Sequence, residues 1–241
     1  MKPSAGEHGP AGLVLALEAS SRTYAVAVGA GMQPAAQAAA HRDDPAFTEL
    51  GELVRLALSR AGAAFADIGT IGVDVGPGGL SSIRAAVAYA NGLAFALGTK
   101  IFPVSSLELM AMAARQAHRG PLLCLKRGQG GNAYAGLFTD GERADLRHGP
   151  PGSVVPAMVS GLAAIHVAGA SADEVAGLLA GVSVADSGVA EADVRVLYQA
   201  ARAAAAEPER LVPAATPLNE ASEIFHEPAA GAAEGTIQSR R

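Results

Sequence analysis

The stretch from Ile71 to Val104 constrains this chain more than any other. An apolar run, Ile71–Val75, meets Gly76-Pro77-Gly78-Gly79. A long Ala-rich periodic segment follows from Leu80 to Leu97, stops at Gly98, and leads into a second short apolar run, Ile101–Val104. A buried strand, a sharp turn, a helix closed by glycine and a return strand make a β-α-β unit. A chain that contains one is built as an α/β protein, with a mixed sheet and flanking helices.

The segments on either side extend the pattern. Leu13–Glu18 and Tyr24–Val28, closed by Gly29-Ala30-Gly31, read as a β-hairpin, and Gln33–His41 as a further strand despite its alanines. Phe47–Ala61 reads as a helix with Leu50, Leu53, Val54 and Ala57 on one stripe. Thr48 or Asp44 is its expected cap, and Pro45 suits its first turn. Ser106–Gln116 reads as a helix capped by Ser105 or Ser106. The second half repeats the logic: strands at Leu122–Lys126 and Ala133–Phe138 joined through Gly128-Gln129-Gly130-Gly131, a turn at Thr139-Asp140-Gly141-Glu142, a strand at Ala164–Ala168, a helix at Ala172–Leu179, a strand at Gly181–Val184 and a helix at Val189–Ala206. Hairpins followed by β-α-β units, twice over, predict two α/β lobes, at 12–104 and 105–228. The Pro/Gly-rich residues 1–11 and the aperiodic residues 229–241 are expected to be disordered.

Composition narrows the function classes. A length of 241 residues is ample for a core, yet 55 residues are Ala and aromatics are only 4%, so packing must be close and not bulky. The net charge of −5 argues against a general polyanion-binding surface. No apolar run approaches the ~20 residues that span a bilayer, and the first residues carry no secretory pattern, so the chain reads as cytoplasmic. The single Cys124 excludes an internal disulfide and a CxxC knuckle, and its apolar surroundings predict an inert thiol. Of 18 basic residues 15 are Arg and 3 are Lys, a skew that fits a GC-rich coding background.

Candidate chemistry is sparse. Glu18-Ala19-Ser20-Ser21, between two strands, places a carboxylate and hydroxyls where a phosphate or a metal-bound water would fit, and an ordinary polar turn would look the same. Gly76, Gly78 and Gly79 precede a helix whose N-terminus would favour an anion such as a nucleotide phosphate, and a tight turn accounts equally for them. The segment is neither a P-loop nor GxGxxG, because no Gly-Lys-Ser/Thr follows and Ser81 stands where the third glycine would be. No two histidines are four residues apart, and HExxH and GxSxG are absent, so no catalytic residue and no metal ligand is assigned. His166, inside an apolar run, reads as a hydrogen-bonded core residue. The helix Leu80–Leu97 carries a stripe of Leu80, Ile83, Val87, Ala90, Ala94 and Leu97 and a second of Arg84, Ala88, Asn91 and Phe95. The small residues admit a partner helix, in an intermolecular bundle or inside this chain.

These segments together resemble the TsaB (YeaZ) family. Leu50, Leu53, Ala61, Gly62, Asp67, Ile71, Val73, Gly76, Pro77, Gly78 and Arg84 match its signature without a gap, and LVLALEASSRTYAVAV (13–28) and GLAFALGTKIFPVSSLELMA (92–111) match its other motifs. The resemblance covers residues 12–140 well and the rest loosely. It implies a two-lobed actin/hexokinase-like (ASKHA) fold and a noncatalytic subunit that binds a TsaD-like catalytic partner through a helical bundle, in a heterodimer or heterotetramer, for tRNA threonylcarbamoyladenosine synthesis. It places that interface on the helices holding Phe47, Leu50, Val54, Arg84, Val87, Ala88, Asn91 and Phe95. It also implies no cofactor on this chain alone, ATP or ADP and a metal in the partner, a TsaE-like ATPase as a third component, tRNA contact through the complex only, and self-association when the chain is alone.

The departures are specific. Ala46-Phe47-Thr48 replaces His-Ser-Glu, Leu80-Ser81-Ser82 alters the residues after GPG, and Glu18 stands for Asp. Arg127 replaces Asp and Asn132 replaces Glu, while Tyr134 is kept. A carboxylate turned into a guanidinium cannot keep the same contact. A diverged paralogue serving a TsaD-like carbamoyltransferase for a small metabolite is therefore a second reading. A stand-alone kinase or hydrolase is a third, and it would have to use Asp74 and Asp186, the carboxylates in suggestive strand positions.

Overall fold

The computed structural model describes residues 12–140 and 145–225. The expected tails at 1–11 and 229–241 lie outside the described residues, as does most of the turn after Thr139. Among the described residues ten strands form two five-stranded sheets. The first joins β1 (Leu13–Glu18), β2 (Thr23–Gly29), β3 (Ala36–His41), β4 (Ile68–Asp74) and β5 (Lys100–Val104) in the order β3-β2-β1-β4-β5. The second joins β6 (Leu122–Arg127), β7 (Ala133–Phe138), β8 (Asp145–Gly149), β9 (Ala164–Ala168) and β10 (Ser183–Asp186) in the order β8-β7-β6-β9-β10. The two orders are the same once β6–β10 are set against β1–β5. The strand directions repeat too: β1-β2, β2-β3, β6-β7 and β7-β8 are antiparallel, and β1-β4, β4-β5, β6-β9 and β9-β10 are parallel. This is the two-lobed actin/hexokinase-like arrangement, each lobe a mixed sheet with flanking helices.

The helices obey the same duplication. α1 (Leu50–Ala61) and α2 (Leu80–Leu97) cover one face of the first sheet, in a core with Leu15, Leu17, Val26, Ile71 and Val73. α4 (Pro151–Met158) and α5 (Ala172–Ala176) cover one face of the second, against Leu123, Leu125, Ile165 and Val167. The remaining helices cross over. α3 (Ser106–Ala114), which follows the last strand of the first sheet, packs Leu107, Met110 and Ala114 on Leu122 and Cys124 of the second. α6 (Val194–Ala204), which follows the last strand of the second, packs Leu197, Tyr198 and Ala201 on Val14, Ala16 and Ala27 of the first. Sheets with parallel strands need both faces covered, and each lobe takes its second cover from the other half of the chain. The division at 104/105 is therefore not clean: α6, which lies beyond it, packs on the first sheet, and the described residues after α6 run across both lobes.

Close approach makes this exchange work. A Cβ on Gly72 would lie 2.7 Å from the Ala201 Cβ, so glycine in β4 and alanine in α6 let helix and sheet touch. After α6 the chain runs back across both lobes. Val212 exchanges backbone hydrogen bonds with Ile101, each 2.8 Å, and the Leu218 amide donates to the Val75 carbonyl at 2.7 Å. Phe225 ends this run in the core beneath α3.

Several boundaries differ from expectation for local reasons. α1 begins at Leu50, not Phe47, because the Asp44 carboxylate accepts from the Ala46 amide in a preceding turn (2.8 Å) and Thr48 donates to the Ala46 carbonyl (3.2 Å), so neither caps the helix. Ser105 does cap α3, and Glu108 closes a capping box with it. α6 starts only at Val194, behind an Asp193 cap. β8 and α4 carry too little periodicity to be read from sequence.

Replacing Leu197, which is fully buried, by Ala is expected to cost about 2–5 kcal/mol. Hydrogen exchange should then rise in β1 and β4 of the first sheet before it rises in β6 and β9. The reverse order would contradict the crossed packing of α6.

Candidate functional site

Two surfaces carry the candidate residues: the cleft between the lobes and the outer face of α2. The cleft holds two adjoining cavities of about 890 and 830 Å³. The first lies between Ser20, Arg42 and Gly79 of the first lobe and Lys126, Arg127 and Tyr134 of the second. The second lies within the second lobe, among Arg127, Pro151, Val175 and Asp186.

At the base of the cleft β1 and β4 end on two carboxylates, Glu18 and Asp74, which are 2% and 0% exposed. Glu18 Oε1 accepts from the Ser20 amide at 2.8 Å and from Ser20 Oγ at 2.6 Å. Asp74 accepts from the Gly76 amide at 2.7 Å and from the Ser106 hydroxyl, which lies 2.7 and 2.8 Å from its two oxygens. Burial pushes the Glu18 carboxyl up to about 8, with the neighbouring Asp74 charge adding to the rise. Burial also raises Asp74, against the pull of Lys126. The Lys126 ammonium reaches across from β6 and donates to Ser20 Oγ at 2.7 Å. The polar turn at 18–21 thus sequesters its own carboxylate, and Asp74 braces the Gly76 turn.

The glycine turn is equally occupied. The Gly79 amide donates to the Ser20 carbonyl at 3.1 Å, and the Gly76 amide is the one held by Asp74. A Cβ on Gly78 would lie 2.2 Å from the Ser20 carbonyl oxygen, so glycine is required there by direct backbone contact. Gly78 and Gly79 line the cleft, but the amides of Gly76 and Gly79 are not free for a phosphate. The N-terminus of α2 has no side-chain cap, and Arg42 donates to Ser82 Oγ there at 2.8 Å.

The other candidate acid is not brought in. Asp186 is exposed at the end of β10 and accepts from the Gly188 amide at 2.7 Å. The sheet duplication sets Arg127, at the end of β6, against Glu18 at the end of β1. The Arg127 side chain is 90% exposed, and its guanidinium lies 3.9 Å from the Glu174 carboxylate. Among the described residues no group of three or more His, Cys, Asp or Glu could hold a metal ion. Cys124 is fully buried and its thiol is pushed up by burial. The His166 ring lies tilted against His118, centroids 4.4 Å apart, and among the described residues its buried Nδ1 has no hydrogen-bond partner, which corrects the expectation of a hydrogen-bonded core histidine.

The expected interface residues fall into two sets. Leu50, Val54 and Val87 are 6%, 0% and 2% exposed and belong to the first-sheet core, so they are corrected from surface to core. Asn91 is occupied within the chain: its amide donates to the Ala215 carbonyl at 3.0 Å and its oxygen accepts from the Ala215 amide at 2.8 Å. Phe47 is half-buried, its ring edge-on to Tyr24 at 5.2 Å. Arg84, Ala88 and Phe95 do lie outside, with Ala85, Gly92 and Ala96 beside them, and Phe95 is 91% exposed. α2 is the one described helix whose length and apolar composition suffice to span a bilayer, and Ile83, Ala86, Val87, Ala90 and Ala94 pack it into the core.

Sequence reasoning missed Lys126, Arg42 and Glu220, which accepts from the Tyr134 hydroxyl at 3.1 Å. Lys126 had a signal. Where the background favours Arg, three lysines in the whole chain stand out, and an ammonium is the compact cation that fits a single hydroxyl.

A family model for TsaD, tRNA N6-adenosine threonylcarbamoyltransferase, matches residues 13–149. The chain belongs to the TsaD family. Within it, the likeness is to YeaZ (TsaB). The structure is similar to that of an uncharacterized Pseudomonas aeruginosa protein with similarity to peptidase YeaZ, at a TM-score of 0.70 and 25% identity over 86% of this chain and 99% of that one. It is equally similar in fold to YeaZ from Pseudomonas aeruginosa, with a TM-score of 0.70, 24% identity and the same coverage. No curated protein sequence matches it.

Two outcomes follow. Folded Glu18 holds its proton up to about pH 8, against an ordinary 4.5. Its neutral burial therefore stabilises fully below the ordinary value, and the benefit is lost as pH rises toward 8. Glu18→Gln, which keeps an acceptor for Ser20, should gain stability over the parent as pH rises from 5 to 8, by up to about 4 kcal/mol. Urea titrations at both pH values check this, and a pH-independent difference would contradict it. Asn91→Ala should cost about 2 kcal/mol through two lost hydrogen bonds, in a thermal melt of the isolated chain.

Proposed function

We propose that this TsaB-like chain is a noncatalytic scaffold that binds and activates a TsaD-like (threonyl)carbamoyltransferase, in threonylcarbamoylation of tRNA adenosine. The observation that carries the reading is the outer face of α2. Phe95 stands 91% exposed among Arg84, Ala85, Ala88, Gly92 and Ala96, all exposed. A large apolar side chain on a bed of small residues is what a partner helix packs against closely, and such anchors dominate interface energy. The cleft supports the same division of labour. Glu18 and Asp74 are buried and engaged by serines, and the position matching Glu18 in the second lobe is Arg127.

On this reading the nucleotide and metal of the reaction reside in the catalytic partner. The complex is a heterodimer or heterotetramer, a TsaE-like ATPase joins it, and tRNA is met through the complex. The same face would serve self-association when the chain is alone. A second reading keeps the scaffold and changes the substrate. Arg127 projects into the cleft where the resembled family carries Asp, which favours a paralogue whose TsaD-like partner carbamoylates a small metabolite.

The test is co-expression with a TsaD-like subunit from the same genome, followed by affinity measurement on the purified complex. Phe95→Asp should weaken association by about 100-fold or more and leave the melting temperature of the isolated chain unchanged. Undiminished association would remove α2 as the interface, and absence of association with the parent chain would remove the scaffold reading. Mass spectrometry of tRNA nucleosides after reconstitution then separates tRNA from metabolite chemistry.

A further inference from the structure

Lys126 is part of the second lobe, yet its hydrogen bond ends on the first. Its ammonium donates to Ser20 Oγ at 2.7 Å across the cleft. Ser20, 3% exposed, is a node. Its amide and hydroxyl both go to Glu18 Oε1, and its carbonyl accepts the Gly79 amide at the entrance of α2. The contact between Ser20 and the glycine turn has no slack, since even a methyl group on Gly78 would collide with the Ser20 carbonyl oxygen at 2.2 Å. The other cations of the first lobe around this cleft are engaged there: Arg22 pairs with Asp43, and Arg42 holds Ser82. Arg127, next to Lys126, also lines the cleft, with its side chain 90% exposed and its guanidinium 3.9 Å from Glu174.

Two further ties from outside the first sheet end on the same turn. The Ser106 amide, at the start of α3, donates to the Gly76 carbonyl at 2.8 Å, and the Ser106 hydroxyl binds Asp74. The Leu218 amide, on the returning C-terminal segment, donates to the Val75 carbonyl at 2.7 Å. Residues 74–79 therefore join the lobes at the base of the cleft, and the Lys126–Ser20 bond links the facing ends of β6 and β1 beside them.

We propose that Lys126 is a latch between the lobes: its bond to Ser20 holds the cleft closed and, through the Ser20 carbonyl on Gly79, fixes the first turn of α2. Opening the cleft and loosening that turn are then one motion. The latch is a property of the isolated chain. Its consequence for partner binding rests on the scaffold reading, because α2 is the helix assigned to the interface there.

The test is Lys126→Met in the full chain, which keeps the apolar stem and removes the donor, with Arg127→Met as the neighbouring control. Amide exchange is followed by NMR at Gly79 and Ile83, whose partners are the Ser20 and Gly79 carbonyls. The separation of spin labels at Ser59→Cys in α1 and Ser153→Cys in α4 is measured in a background where Cys124 is Ser. Lys126→Met should speed exchange at Gly79 and Ile83 about five- to tenfold and broaden the label separation, while amides of β4 and β9 keep their rates. Ser20→Ala should reproduce both changes, and Arg127→Met neither. Unchanged exchange and separation in Lys126→Met would overturn the latch, and so would an equal rise at the start of α2, in β4 and in β9, which would mark general destabilisation. These readouts need no partner, so failure of the latch is separate from failure of Phe95→Asp to weaken a complex.

Discussion

The structure depends on an exchange of helices. Each sheet contains parallel strands and must bury both faces, and the chain order supplies each lobe with only two of the helices it needs. The third comes from the other half: α3 seals the second sheet and α6 the first. Gly72 under Ala201 is the tightest point of that exchange, where a single added methyl group would force helix and sheet apart. Neither lobe is therefore a separable unit, and the cleft between them is held from beneath by the two crossings and by the returning segment that reaches Phe225.

The polar chemistry of the cleft follows from this closure. Glu18 and Asp74 end adjacent strands, where side chains of open α/β sheets meet ligands. Here they are shielded from water, and their oxygens are met by serine hydroxyls and backbone amides, with one ammonium close by. Burial makes the neutral form of Glu18 the stable one. A group in that state holds a turn together, and Ser20 carries the constraint onward to Gly79 and α2. The outward face of α2 is different. Its inner residues are spent on the core, and its outer residues are small except for Phe95 and Arg84, so it offers contact area at little steric cost.

The elements with strong local signals were legible: the β1-β2 hairpin, the strand-turn-helix from Ile71 to Leu97, the Ser105 cap, and the glycine-linked strands of the second lobe. β3 was legible as a strand although alanine-rich, because its pairing with β2 holds it and only Ala38 is buried. The candidate site was less legible. A 3.6-residue stripe tells which residues share a helix face, but not whether the face turns inward. Leu50, Val54 and Val87 share the apolar character of an interface and turn out to face the sheet, and Asn91 is satisfied by the backbone of Ala215, 124 residues away.

The sequence by itself determined the α/β class, the two-lobed plan, the place of the glycine turn and the kinship with YeaZ (TsaB), because each is written in local spacing or in contiguous motifs. Tertiary structure alone decided which half of the chain covers which sheet. It also decided that Glu18 is masked and not presented, and that Lys126 reaches across 106 positions to Ser20. Those outcomes depend on contacts between residues far apart in the chain, whose energies come from burial and close approach, and no local pattern records them.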